Sequence, residues 1–112
     1  MKTLTERWNG TAWKIVGSAN RFPYFDVLNS VSCRSSTNCF AVGSSTSGQT
    51  TPTTTLVEQW NGTAFSIVAS PNPAGSTRNF LKGVSCATTA SCHAVGGYEA
   101  RASRYTLAER YA

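Results

Sequence analysis

Apolar and polar residues alternate with a period of two in three stretches that are variants of one another: Thr3–Trp8 (TLTERW), Thr55–Trp60 (TLVEQW) and Thr106–Tyr111 (TLAERY). Such alternation puts the leucine, the glutamate and the aromatic ring of each stretch on one face of a β-strand. Those triplets are Leu4, Glu6 and Trp8, then Leu56, Glu58 and Trp60, then Leu107, Glu109 and Tyr111. Three further short runs each occur twice: Leu28–Cys33 with Leu81–Cys86, Cys39–Ser44 with Cys92–Gly97, and Ala12–Val16 with Ala64–Val68. The stretches between them, SGQTTP at 47–52 and SPNPAGS at 70–76, are turn chemistry with no helical period. The pattern predicts an all-β chain.

These runs form a repeat. Trp8 and Trp60 are offset by 52 residues and Cys33 and Cys86 by 53, so a one-residue insertion separates two otherwise parallel copies. The single domain at 1–112 divides into repeat 1 at 3–54, repeat 2 at 55–105 and an extra strand at 106–112. Each repeat supplies four strands of about a dozen residues with their turns, the spacing of a four-stranded meander. Asn9-Gly10 and Asn61-Gly62 stand between two strand runs, which predicts hairpins with type I′ turns and positive φ at both central residues. Asn9-Gly10-Thr11 and Asn61-Gly62-Thr63 also fit the glycosylation acceptor pattern, but the turn accounts for these residues without a sugar. Four-stranded units recurring every 50 residues or so are expected to be blades of a β-propeller, each burying its faces against the next. Two blades do not close a ring, so the chain is expected either to oligomerise, completing the ring, or to be a piece of a longer propeller. In strand order the chain runs third, fourth, then first to fourth, then first to third, and its ends are fragments of one blade type.

Four cysteines fall as two C-x5-C pairs, Cys33 with Cys39 and Cys86 with Cys92, each inside VSC-x5-C-x-AVG. Two strands joined by a five-residue loop can hold their flanking cysteines at disulfide distance. Zinc knuckles use shorter spacings and more ligands, and only His93 stands nearby; free buried thiols are the other alternative. Disulfides imply an oxidising compartment, hence a secreted or cell-surface protein whose leader is not in this sequence. No run approaches the ~18 apolar residues of a membrane span, so no membrane partner is expected. The net charge is +5, but its ten Lys and Arg are scattered singly, which argues against a nucleic-acid-binding stripe. One histidine, one aspartate (Asp26), and neither a phosphate loop nor a nucleophile elbow give no basis for an enzyme. No cofactor and no metal site are expected.

The residues that carry binding chemistry are Glu6, Trp8, Trp13, Glu58, Trp60 and Phe65. A carboxylate beside an aromatic platform can receive sugar hydroxyls. Equally, the glutamate can tie one blade to the next by accepting backbone N–H groups, and the rings can pack between blades. Repetition in every copy favours the architectural use.

TLTERWNGTAWKIV, TLVEQWNGTAFSIVASPNP and KGVSCATTASCHAVG resemble the WNG-type repeats of exported bacterial propeller proteins, over nearly all of the chain. That resemblance implies a propeller fold and an exported location, with no set activity. The first copy departs from it at GSANRF (17–22), where the SPNP turn is lost. Thr5-Glu6-Arg7 with Trp8-Asn9-Gly10-Thr11-Ala12-Trp13 is also similar to small bacterial fucose-binding lectins, whose two-repeat chains assemble as trimers into six-bladed propellers. In that pattern one more residue separates the glutamate from the tryptophan, and cysteine hairpins are foreign to it. The resemblance implies a homo-oligomer of three chains and six blades, with glycans as ligands of a multivalent lectin-like module; the expectation favoured here is a non-enzymatic scaffold that assembles into a ring.

Overall fold

The computed structural model describes residues 1–20, 25–46, 52–88 and 91–111, and these are all-β, with nine strands and no helix. The strands are β1 (Thr5–Trp8), β2 (Trp13–Val16), β3 (Phe25–Ser35), β4 (Asn38–Thr46), β5 (Thr53–Trp60), β6 (Phe65–Val68), β7 (Arg78–Thr88), β8 (Ser91–Ala100) and β9 (Ser103–Tyr111). Every run expected as a strand contains one; β3, β4, β5, β7, β8 and β9 extend beyond the expected run, whereas β1, β2 and β6 start one or two residues later than expected. The SGQTTP loop lies, but for Pro52, outside the described residues, as do positions 21 and 22 of GSANRF.

Within three groups, consecutive strands pair antiparallel. The strands β3-β4-β5-β6 form one complete meander, β7-β8-β9 form a second without a fourth strand, and β1-β2 form a separate hairpin. A single parallel bridge, Thr53 to Arg78, joins the two meanders at one end. The described strands close no barrel or ring.

Both cysteine pairs are disulfides within a first-to-second strand hairpin, Cys33–Cys39 and Cys86–Cys92, and the bonded cysteines sit directly opposite one another. The strands continue past them: Ser35 pairs with Asn38, so the turn is Ser36-Thr37 and not a five-residue loop. Beyond each cysteine pair lies a register shift, at Leu28/Ser30 in the first meander and Leu81/Gly83 in the second. There the glycine of the AVG motif meets backbone: a Cβ on Gly43 would stand 1.7 Å from the Val27 carbonyl oxygen, and one on Gly96 2.0 Å from that of Phe80. No side chain fits at either position.

The meanders pack face against face. Val42 and Val57 of the first meet Leu81, Val84, Ala94 and Leu107 of the second in one apolar cluster. The otherwise open edge of β7 is satisfied by side chains of β3, as an edge needs to be. Asn29 Nδ2 donates to the Leu81 carbonyl (2.8 Å), and the amides of Val84 and Cys86 donate to Ser30 Oγ (3.3 Å) and Ser32 Oγ (3.1 Å). The hairpin β1-β2 sits on the other face of the first meander. Gly17 bridges Ala64, Gly17 O accepts from Phe65 N–H (2.9 Å), and Met1 O accepts from Asp26 N–H (3.0 Å).

The Asn-Gly hairpins occur where expected, but their turns are not type I′. Trp8 pairs with Trp13 and Trp60 with Phe65, leaving four-residue loops in which the glycine alone has positive φ, 96° at Gly10 and 101° at Gly62. The asparagine closes the loop with its side chain instead. Asn9 Oδ1 accepts from the amides of Thr11 and Ala12, both at 2.9 Å, and Asn61 Oδ1 from those of Thr63 (2.8 Å) and Ala64 (3.1 Å). Such bonding to amides two and three residues on is why asparagine suits this position. The turn with positive φ at both central residues joins β8 to β9 and is made of Arg101 (53°) and Ala102 (64°), which carry no turn signal in the sequence.

Candidate functional site

The two N-G-T-A loops bring their flanking rings together. In each hairpin the last strand pair before the loop is aromatic, so the rings lie on one face: Trp8 and Trp13 with centroids 5.7 Å apart, Trp60 and Phe65 at 5.3 Å. Seating the hairpin on the first meander sets these two pairs around a cavity of about 480 Å3, floored by the Cys33–Cys39 disulfide and bordered by Glu6 and Arg7. Arg7 lies over the Trp60 ring, 5.8 Å from its centroid, a cation–π contact.

Five of the six residues singled out in the sequence therefore meet: Glu6, Trp8, Trp13, Trp60 and Phe65. They are not equivalent. Trp60 is 4% exposed, with its indole N–H donating to the Ser36 carbonyl on the β3-β4 turn (3.2 Å), so it is the fixed wall. Trp8 and Trp13, 52% and 65% exposed, form the open wall. The cavity combines apolar rings with a carboxylate and a guanidinium at its border, which suits a ligand with one apolar face and polar groups at its rim. Arg7 went unmarked in the sequence because the matching position of the second copy is Gln59.

The sixth residue, Glu58, does not join them. It is fully buried, and its Oε1 accepts the Ala19 N–H at 2.8 Å from the segment that leaves the hairpin. Burial raises its pKa above the ordinary carboxylate value; the Ala19 N–H opposes that, and the nearby Asp26 charge adds to it. Glu58 is a tie between hairpin and meander. Glu109, its counterpart, points at the matching segment of the first meander, but the residue aligned with Ala19 is Pro71, which has no N–H to give. Pro71 and Glu109 line one small cavity of about 70 Å3, Glu109 Oε2 is buried without a hydrogen-bond partner, and burial alone raises the Glu109 pKa.

The one aspartate and the one histidine of the chain lie on different meanders. Asp26 is buried on β3, where Ser45 Oγ donates to it, and His93 is exposed on β8. All four cysteines are bonded, and among the described residues no three His, Cys, Asp or Glu cluster as metal ligands would. No helix among them is long and apolar enough to cross a membrane. Comparisons with protein-family models, with curated proteins and with solved structures give no match.

Proposed function

We propose that the chain is a non-enzymatic β-propeller module, exported to an oxidising compartment, whose blades complete their faces and edges by assembling with further copies into a closed ring, three chains and six blades being the leading stoichiometry. The observation that carries this reading is the contrast between β4 and β8, which hold the same repeat position. The run from Cys39 to Gly43 is buried on both faces, whereas Cys92 and Ala94 are buried and the intervening His93 and Val95 are exposed. Val42 is 1% exposed and its counterpart Val95 53%. The second meander thus has one covered face and one face, carrying Val95 and His93, with no neighbour among the described residues, and a further meander of the same kind would cover Val95 as the second meander covers Val42. Two disulfides are compatible with an extracellular setting. Sedimentation equilibrium over a wide dilution range tests the assembly. The expected particle is a fixed multiple of the 12.0 kDa chain, and a folded single chain at every concentration contradicts it.

The open aromatic wall favours a second reading, a multivalent carbohydrate-binding module with one such groove repeated around the ring. Trp13 stands mostly in solvent beside a polar border, the arrangement of a platform for the apolar face of a sugar. A glycan array followed by titration calorimetry checks it. Binding that Trp13→Ala abolishes while particle size stays constant supports this reading, and no binding across the array counts against it.

A further inference from the structure

We infer that the aromatic groove takes a saccharide bearing an acidic group, a carboxylate or a sulfate, and that Arg7 together with Lys14 receives that group. The inference rests on the carbohydrate reading of the groove given above and names the class of sugar. Arg7 and Lys14 are directly opposite neighbours in the β1-β2 pair, so they share one face of the hairpin with Cβ atoms roughly 4.5–5.5 Å apart. Both are exposed. Like charges facing each other across a strand pair repel, and among the described residues neither cation forms an ion pair. The result is unbalanced positive charge at the border of the groove.

The hairpin architecture does not require this charge. The second N-G-T-A hairpin has the same asparagine-capped loop and the same register, yet carries Gln59 opposite Ser66 at the matching positions, a neutral pair. The two cations therefore fall on the one hairpin whose rings, Trp8 and Trp13, stand open to solvent. Glu6 does not balance them. It is opposite Ile15 and next along the strand from Arg7, hence on the other strand face. The remaining acids are engaged elsewhere: Glu58 and Asp26 are buried with partners of their own, and Glu99 and Glu109 belong to the second meander.

Arg7 is already oriented for the task. Its guanidinium lies over the Trp60 ring, and Trp60 is itself fixed by the bond from its indole N–H to the Ser36 carbonyl. Stacking occupies the flat face of the guanidinium and leaves the N–H groups along its edge free, the arrangement that takes a carboxylate or a sulfate through paired hydrogen bonds. Lys14 adds a flexible ammonium beside it, a point charge with three donors and no planar geometry to satisfy. The division of labour follows from the chemistry of each group: Trp8 and Trp13 take the apolar face of the sugar ring, Glu6 accepts its hydroxyls, and the two cations take its acid. The groove lies between the hairpin and the first meander of one chain, so the site is complete without a second copy.

Matched glycan pairs test this on the full chain. Uronate-containing oligosaccharides are set beside their methyl esters, and sulfated oligosaccharides beside their desulfated forms, over several sugar backbones on one array, with calorimetric titration of whatever binds. The expected result is that the acidic member of a pair binds about ten-fold tighter than its neutral partner, and the set in which this occurs tells whether the site reads a carboxylate or a sulfate. Arg7→Gln combined with Lys14→Ser copies Gln59 and Ser66, a hairpin the chain already builds. It should bring the acidic member down to the level of the neutral one and leave the neutral one unchanged. Arg104→Gln removes an exposed cation from the second meander and should keep the preference, and far-UV circular dichroism checks that both variants fold. Neutral members bound as well as acidic ones, a preference that survives the double variant, or one that falls as far with Arg104→Gln overturns the acidic ligand and leaves the carbohydrate reading standing. A wild-type chain that binds no member of any pair overturns both.

Discussion

β4 and β8 have nearly the same sequence, CFAVG against CHAVG, and opposite fates. One is enclosed on both faces, the other on one. The pairing within each meander, the disulfide, the register shift and the crowded glycine are the same in both, so the difference does not originate inside the repeat. It comes from what lies alongside: β4 has the hairpin on one side and the second meander on the other, and β8 has only the first meander. Trp60 and Trp8 make the same point, the first closed over by the β3-β4 turn and the second without such a turn above it. In a repeat architecture burial is a property of neighbours as much as of residues.

Substitutions separate what the repeat provides from what the neighbour provides. The largest effect belongs to features internal to the repeat. Gly43→Ala and Gly96→Ala drive a methyl group into a backbone carbonyl, and each is expected to cost about 3 kcal/mol or more by urea denaturation. The two costs should be alike despite the different surroundings. A large disparity between them would break the comparison. Next comes the neighbour-dependent pair. Val42→Ala removes methyl groups from the cluster with Leu81 and Ala94 and should cost about 2 kcal/mol within the chain. Val95→Ala should cost under ~0.5 kcal/mol in a dissociated chain, its effect appearing as weaker assembly on dilution.

Smaller effects follow from the glutamates. The folded pKa of Glu109 is raised by burial, so the folded chain holds that proton more tightly than the unfolded one. Its stabilising share is whole below the unfolded carboxylate pKa and is lost as pH rises through the folded value. Glu109→Gln should therefore raise the melting temperature at neutral pH and leave it nearly unchanged below pH 4, the effect at pH 7 being under about 1 kcal/mol. Glu58→Gln retains a carbonyl to accept the Ala19 N–H and should leave the hairpin seated. A chain whose melting is more sensitive to Glu58→Gln than to Gly43→Ala would contradict the ordering. An effect of similar size is expected at the β8-β9 turn, where Ala102→Gly relieves a positive φ and should stabilise by up to about 1 kcal/mol in calorimetry.

Strand positions, both disulfides and the complete meander are legible in the sequence because period-two alternation and paired cysteines report local geometry directly. The hairpins at Asn9 and Asn61 are legible as well, though not their turn type, since a side chain that caps the loop and a backbone at positive φ both select asparagine. The Arg101-Ala102 turn is invisible, because neither residue favours the backbone it adopts. The aromatic groove is half legible. Trp8, Trp13, Trp60 and Phe65 announce themselves by repetition, whereas Arg7 and the divergence of Glu58 from Glu109 depend on positions where the copies differ, Arg7 against Gln59 and Ala19 against Pro71. Repetition marks architecture; the departures from it decide the local chemistry.

The central claim is that the open face of β8 is covered in the working particle, and His93 reports on it directly. It is the single histidine of the chain, exposed on β8 at the position where Phe40 is enclosed on β4. The rate of its modification by diethyl pyrocarbonate, followed by mass spectrometry on the native particle and on the unfolded chain, reads its coverage. The account predicts a native rate at least ten-fold below the unfolded one. A native rate equal to that of a free imidazole at every protein concentration would show the face to be open and contradict the account.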